Sequence, residues 1–329
     1  MTTPGTGRRI GLVLGAGGAV GHAFHAGVLA ALTDATGWDA RRAEIIVGTS
    51  AGSLVGALVR AGLSGPDLAA RSTDTALSAE GHELVQRALA ATQHLAPIPP
   101  RAPRRRGFPT MSSPAALARA ALQPWNVRPG AVAAAVLPAG RISTEVIASG
   151  LRPLFGDTWP DRALWISAVD LHTGRRVSFG RAGAPAADVA SAVAASCAIP
   201  GFFAPVSIHG VRYVDGGAHS PTNADLVAGL GLDLVVISSP MSVARNSVRF
   251  AADQPARRLS RFNLVREAAA IRRGGTPVIT FQPTPDDLAV MGLNAMDPER
   301  GAEVTRQARE SATVRIARRD AIERVAILR

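Results

Sequence analysis

The sequence predicts an α/β protein in which a parallel sheet is covered by helices. Three observations carry that expectation. Short apolar runs alternate with helical stretches over residues 9–61. The first two runs each end in a glycine-rich turn that leads straight into a helix. Further apolar runs return at 163–169, 232–238 and 277–281, and the run at 232–238 is strongly β-branched. Strand, turn, helix, strand, turn, helix is the order that a parallel sheet with covering helices requires.

In order along the chain, residues 1–8 read as a loose tail and 9–14 as a strand broken by the glycines of 15–21. A helix is expected at 22–33, a second strand at 43–47 and a helix at 53–61. The character then changes. Residues 94–109 hold five prolines and the arginines Arg101, Arg104, Arg105 and Arg106, a composition that opposes any regular element and belongs on the surface. The stretch of about 78–145 is expected to be a Pro/Arg-rich insertion or cap of short helices within one domain spanning 1–329. Strands follow at 163–169 and 176–180 around the turn His172-Thr173-Gly174. A small-residue helix at 188–198 ends at Pro200-Gly201, and a strand at 211–214 runs into Asp215-Gly216-Gly217. The chain closes on a charged amphipathic helix at 301–329.

Composition narrows the function. The 329 residues are 47% hydrophobic and 19% charged, the balance of a folded globular chain. Cys197 is the single cysteine, so neither an internal disulfide nor a cysteine-built zinc site can form. The 36 basic residues are all arginine and stand against 25 acidic ones, a net charge of +11. With no lysine present, compositional bias explains most of that excess. No aromatic-interleaved basic patch or recognition motif accompanies it, so a nucleic-acid partner is not expected. Arginines do suit peripheral contact with an anionic membrane surface. No cleavable leader and no apolar run of about 18 residues is visible, so the expectation is a cytoplasmic protein, at most peripheral to a membrane.

Three segments can carry chemistry. Gly48-Thr49-Ser50-Ala51-Gly52 is a G-x-S-x-G motif between a strand and a helix. That is the context in which a serine on a sharp turn becomes an exposed nucleophile, with Gly48 and Gly52 giving the turn room. Gly15-Ala16-Gly17-Gly18-Ala19-Val20-Gly21 is a second glycine turn. Its spacing fails the dinucleotide fingerprint, because the third glycine position counted from Gly15 is Val20. An oxyanion hole of backbone N–H donors or a plain packing turn remain. Asp215, followed by Gly216 and Gly217, stands at a strand end, where a carboxylate can take a proton from a serine. The only histidine after Asp215 is His219, four residues on, which is too near for a third triad member on its own loop. A histidine-free serine–aspartate pair therefore fits best.

Together with Ala195-Ser196-Cys197-Ala198-Ile199-Pro200-Gly201, these segments resemble the patatin-like phospholipase family over about residues 10–236. The resemblance implies a three-layer α/β/α fold with a mainly parallel central sheet. It implies a lipid acyl hydrolase of phospholipase A, lysophospholipase or esterase type, acting through a covalent acyl-serine without cofactor or metal. Ser50 would attack, Asp215 would take its proton and later activate water, N–H groups around Gly17 and Gly18 would form the oxyanion hole, and Gly15, in the same loop, would permit the turn. Two departures from the family pattern stand out: Val20 occupies a position where an arginine is common, and the interval from Gly21 to Gly27 is one residue longer than the common bacterial pattern when His25 is matched to that pattern's histidine. A catalytically idle, lipid-binding or regulatory protein on the same fold is the competing expectation. Head group, acyl chain and oligomeric state are not encoded in any motif of the chain.

Overall fold

Strands that read as unbroken apolar runs are covered on both faces. In the computed structural model, which describes residues 8–102, 112–113, 129–244 and 253–329, these are β1 (Ile10–Leu14), β2 (Ile45–Thr49), β3 (Ala163–Asp170), β4 (Arg176–Phe179), β5 (Val206–Ile208), β6 (Val211–Asp215), β7 (Leu234–Ser238) and β8 (Val278–Phe281). The helices are α1 (Gly18–Thr36), α2 (Ala51–Ala61), α3 (Gly65–Thr73), α4 (Ala79–Thr92), α5 (Pro129–Val136), α6 (Glu145–Phe155), α7 (Val189–Ser196), α8 (Gln254–Arg273), α9 (Pro285–Met291), α10 (Gly301–Ile316) and α11 (Arg319–Val325). The tail expected at 1–8, apart from Arg8, lies outside the described residues. So do Arg104, Arg105 and Arg106 and most of the 103–128 portion of the expected cap.

Among the described residues the sheet has eight strands in the order β5-β6-β3-β2-β1-β7-β8, with β4 on β3. The β3-β2-β1-β7-β8 portion is parallel throughout. Strands β4, β5 and β6 join antiparallel. Successive side chains alternate between two cores. Leu12, Leu14, Ile46 and Val236 pack with Phe24 and Leu29 of α1. Val13, Val47, Val235 and Ile237 pack with Leu264, Ala268 and Ile271 of α8. That is three layers, α/β/α, each held by burial of apolar area.

The first helix starts four residues before the expected His22. Its glycines wind into the helix because close packing offsets their low propensity. A Cβ on Gly27 would sit 2.4 Å from the Thr305 carbonyl of α10. The expected C-terminal helix at 301–329 is two helices, α10 and α11. Arg318 is extended between them (φ −69°, ψ 141°), and no glycine or proline marks the break. Helix α3, absent from the expectations, starts on a capping box in which Ser64 and Asp67 satisfy each other's backbone N–H groups.

The pairing of β3 positions the site. On one side β3 pairs with β4; on the other it pairs first with β2 and then with β6. Parallel β2 ends at Thr49 opposite Ser167, and antiparallel β6 ends at Asp215 opposite Ala168. The two strands therefore run head-on along the same edge of β3, and their C-terminal ends meet.

Candidate active site

Ser50 is the residue directly after β2. Its backbone lies at φ 53° and ψ −123°, a left-handed conformation that a non-glycine residue holds only when its surroundings impose it. The surroundings are visible. Its N–H donates to Ser196 Oγ at 2.9 Å, and that hydroxyl donates to the Ser167 carbonyl at 2.6 Å. Ser53 Oγ donates to the Ser50 carbonyl at 2.6 Å. The motif glycines stand where no side chain fits. A Cβ on Gly52 would lie 2.0 Å from the Leu14 carbonyl oxygen, and one on Gly48 would lie 2.4 Å from Ser53 Cα. Gly52→Ala is expected to destabilise the fold by about 3 kcal/mol or more, since backbone meets backbone and neither side yields. Thermal unfolding of the variant measures this.

Asp215 closes the arrangement from the opposing strand. Its carboxyl lies by the Ser50 side chain, which favours its charged form, and Gly217 N–H donates to its Oδ1 at 2.7 Å. Both Ser50 and Asp215 are buried, at 3% and 4% exposure. Burial pushes the Asp215 carboxyl up to about 6, against the pull of Ser50 and of the Gly217 bond. A carboxylate with that affinity for protons is a better base at neutral pH than an ordinary aspartate. Gly216 is forced to be glycine by proximity, because a Cβ there would sit 2.3 Å from the Ser167 carbonyl.

The glycine loop lies beside Ser50 because β1 and β2 are parallel neighbours, with Leu14 opposite Gly48. Gly18 has φ +63°, and the N–H groups of Gly17 and Gly18 have no partner among the described residues, as at any helix start. Gly15 differs from them. Its N–H is donated to the Ser238 carbonyl at 2.9 Å, and Ala16 N–H to the Pro221 carbonyl at 2.7 Å. Gly15 thus shapes the loop without offering a donor, in keeping with the turn-permitting place expected of it. His25 braces the same turn. Its Nε2–H donates to the Gly15 carbonyl at 2.8 Å, and its Nδ1 faces Ser238 Oγ at 2.8 Å. The carbonyl can only accept, so the Nε2–H tautomer is fixed. Burial lowers the imidazole to about 4 and keeps it neutral.

Three residues to which the sequence assigned no role hold the parts together. Ser196 anchors the Ser50 backbone. Asn223, at φ 51°, donates to Thr49 Oγ1 at 3.1 Å and to the Gly216 carbonyl at 3.4 Å, tying the end of β2 to the turn after Asp215. Glu267 of α8 accepts from Ser220, Thr222 and the Ala224 N–H at 2.6–2.8 Å, which secures the loop that carries Asn223. The nearby Cys197 is buried, and its thiol is pushed up by burial and by the charge of Asp215, so it stays protonated.

Ser50 opens onto a cavity of about 570 Å³. Leu54, Ile98, Val146, Ile147 and Phe203 give it apolar walls, and Gly18 lies at its edge. Its size and lining suit an acyl chain. The chemistry available is acyl transfer: a hydroxyl beside a buried carboxylate, free N–H donors alongside, and an apolar slot.

The family model for patatin-like phospholipase matches residues 12–228. Among solved structures, the chain is similar to VipD from Legionella pneumophila, at 12% identity over 94% of this chain and 66% of that one, with a TM-score of 0.43. It is similar to the type III effector protein ExoU, at 17% identity over 97% and 54% of the two chains and a TM-score of 0.39. In the ExoU–SpcU complex of Pseudomonas aeruginosa the figures are 18%, 94%, 51% and 0.39. The chain spans between about half and two thirds of the length of these proteins.

Proposed function

Because the chain belongs to the patatin-like phospholipase family, we propose that it is a serine lipid acyl hydrolase working through a Ser50–Asp215 dyad. The observation that carries the reading is the head-on meeting of β2 and β6, which sets Ser50 against a buried Asp215 whose proton affinity burial has raised. Ser50 Oγ attacks the ester carbonyl while Asp215 takes its proton. The tetrahedral oxyanion is met by the Gly17 and Gly18 N–H groups, aided by the positive end of the α1 dipole. The alcohol leaves with a proton and an acyl-Ser50 ester remains. Asp215 then draws a proton from water, hydroxide adds to the acyl carbon, and fatty acid departs as Ser50 recovers its proton. Support also comes from the left-handed Ser50 turn, a strain that a mere packing turn has no need to hold.

Residues 78–145 are proposed as a cap within a single domain; Pro97 and Ile98 from that stretch line the cavity. Peripheral contact with an anionic membrane is also part of the reading. The outer face of α8 exposes Leu259, Phe262 and Val265 beside Arg258 and Arg266, a mixture suited to an interface. Among the described residues, no helix is long and apolar enough to cross a membrane. The test is fatty-acid release from phosphatidylcholine vesicles with and without phosphatidylglycerol. Release is expected from both and faster from the anionic ones. No release from vesicles, mixed micelles or monomeric esters would leave the idle lipid-binding protein as the better reading.

A further inference from the structure

The cavity that holds Ser50 is lined mainly by apolar side chains, with Ser50, Ser72 and His22 among its neutral polar ones. Among its described lining residues a single side chain carries a formal charge, Arg71, from the last turn of α3. No carboxylate is among those lining residues. No hydrogen bond or ion pair joins Arg71 to any other described residue. The side chain is open to solvent, yet burial depresses its pKa, so it stands in a concave wall, crowded by protein and free on the cavity side. Its neighbour on that wall is His22, brought down to about 3 by burial first and then by the charge of Arg71. His22 is thus neutral, and the positive charge of the cavity belongs to Arg71.

A crowded guanidinium without a partner is unfavourable, and proteins normally pair such a group. The more deeply buried Arg176 and Arg257 are paired, with Asp225 at 2.7 Å and Asp253 at 2.5 Å. The open side of Arg71 faces the space that a ligand would fill. Resting on the lipid-ester reading above, we propose that Arg71 is an anion subsite of the catalytic cavity, receiving a phosphoryl or carboxylate group attached to the acyl ligand. Guanidinium presents parallel N–H donors that match either oxyanion in a two-point contact. The acyl chain lies along Leu54, Ile147 and Phe203. The subsite makes the enzyme selective for amphiphiles with a negative group close to the ester, and it discriminates against neutral glycerides of equal chain length.

Calorimetric titration of the full-length protein with octyl phosphate, octanoate and octan-1-ol tests this, because none of the three needs turnover. The wild type is expected to bind at least one anion ten-fold or more tighter than the alcohol. In Arg71→Gln that preference falls to within about three-fold, while Arg71→Lys, which keeps the charge, retains part of it. Preference for octyl phosphate identifies a lipid head group as the source of the anion; preference for octanoate identifies the fatty acid. Equal binding of all three by the wild type, or a preference that survives in Arg71→Gln, overturns the proposal. Fluorophosphonate labelling of Ser50 reports on the hydrolase reading separately: an unlabelled protein that still prefers anions through Arg71 loses that reading and keeps this subsite.

Discussion

Replacing Ser50 by alanine is expected to lower ester hydrolysis by about 10³-fold or more while leaving the fold intact. The nucleophile and the covalent intermediate are lost together, and the glycine-loop donors alone supply only a remnant of the rate. The Ser50 backbone is held through its N–H and carbonyl rather than its hydroxyl, so circular dichroism and melting temperature should change little. A variant that retains a tenth of wild-type activity would place the nucleophile elsewhere.

Asp215→Asn is expected to be nearly as inactive and, unlike most active-site substitutions, more stable. Asparagine cannot take the serine proton, although its side-chain oxygen can still accept from Gly217 N–H. The stability effect follows from the direction in which burial moves the carboxyl. Asp215 is raised in the folded protein to about 6 from 3.8. A raised group favours the fold while protonated, below about pH 4, and that contribution is lost as pH rises through about 6. A rise of that size corresponds to about 3 kcal/mol, the upper range of what a neutral side chain recovers at pH 8. Thermal melts of wild type and variant should therefore converge near pH 4, diverge between about pH 4 and pH 6, and keep a constant gap above about pH 7. The same pKa sets the activity profile of the wild type. Since the base must be ionised, kcat/KM should rise with an apparent pKa near 6 and be about ten-fold below its plateau at pH 5.

Much of this site is legible in the sequence because its demands are local. Gly48 and Gly52 are required by approaches of 2.4 and 2.0 Å, and such crowding leaves glycine at fixed spacing around a serine. The apolar runs of β1, β2 and β7 announce a buried parallel sheet for the same reason. What brings Ser50 to Asp215 is not local. It is the head-on meeting of β2 and β6 along β3, a pairing across well over a hundred residues in which neither strand contacts the other by ladder. Ser196 and Asn223 act over separations of 146 and 174 residues, and a lone buried serine or asparagine has no period to reveal it. Arg71 lies on a helix whose capping box is readable but whose cavity-facing side is not. Sequence shows which residues of the loop are glycines and not which N–H groups are already bonded, as that of Gly15 is to the Ser238 carbonyl.

Whether Ser50 is a nucleophile activated by Asp215 decides everything else proposed for the hydrolase. Reaction of the folded protein with a fluorophosphonate in detergent micelles, followed by peptide mapping of wild type, Ser50→Ala and Asp215→Asn, puts that question to the two residues themselves. One modified residue is expected, Ser50, with no labelling in Ser50→Ala. In Asp215→Asn the labelling rate is expected to be at least 10²-fold lower, of the order found when a general base is removed. Labelling at another residue, or a wild-type protein that remains unmodified in micelles, would contradict the dyad.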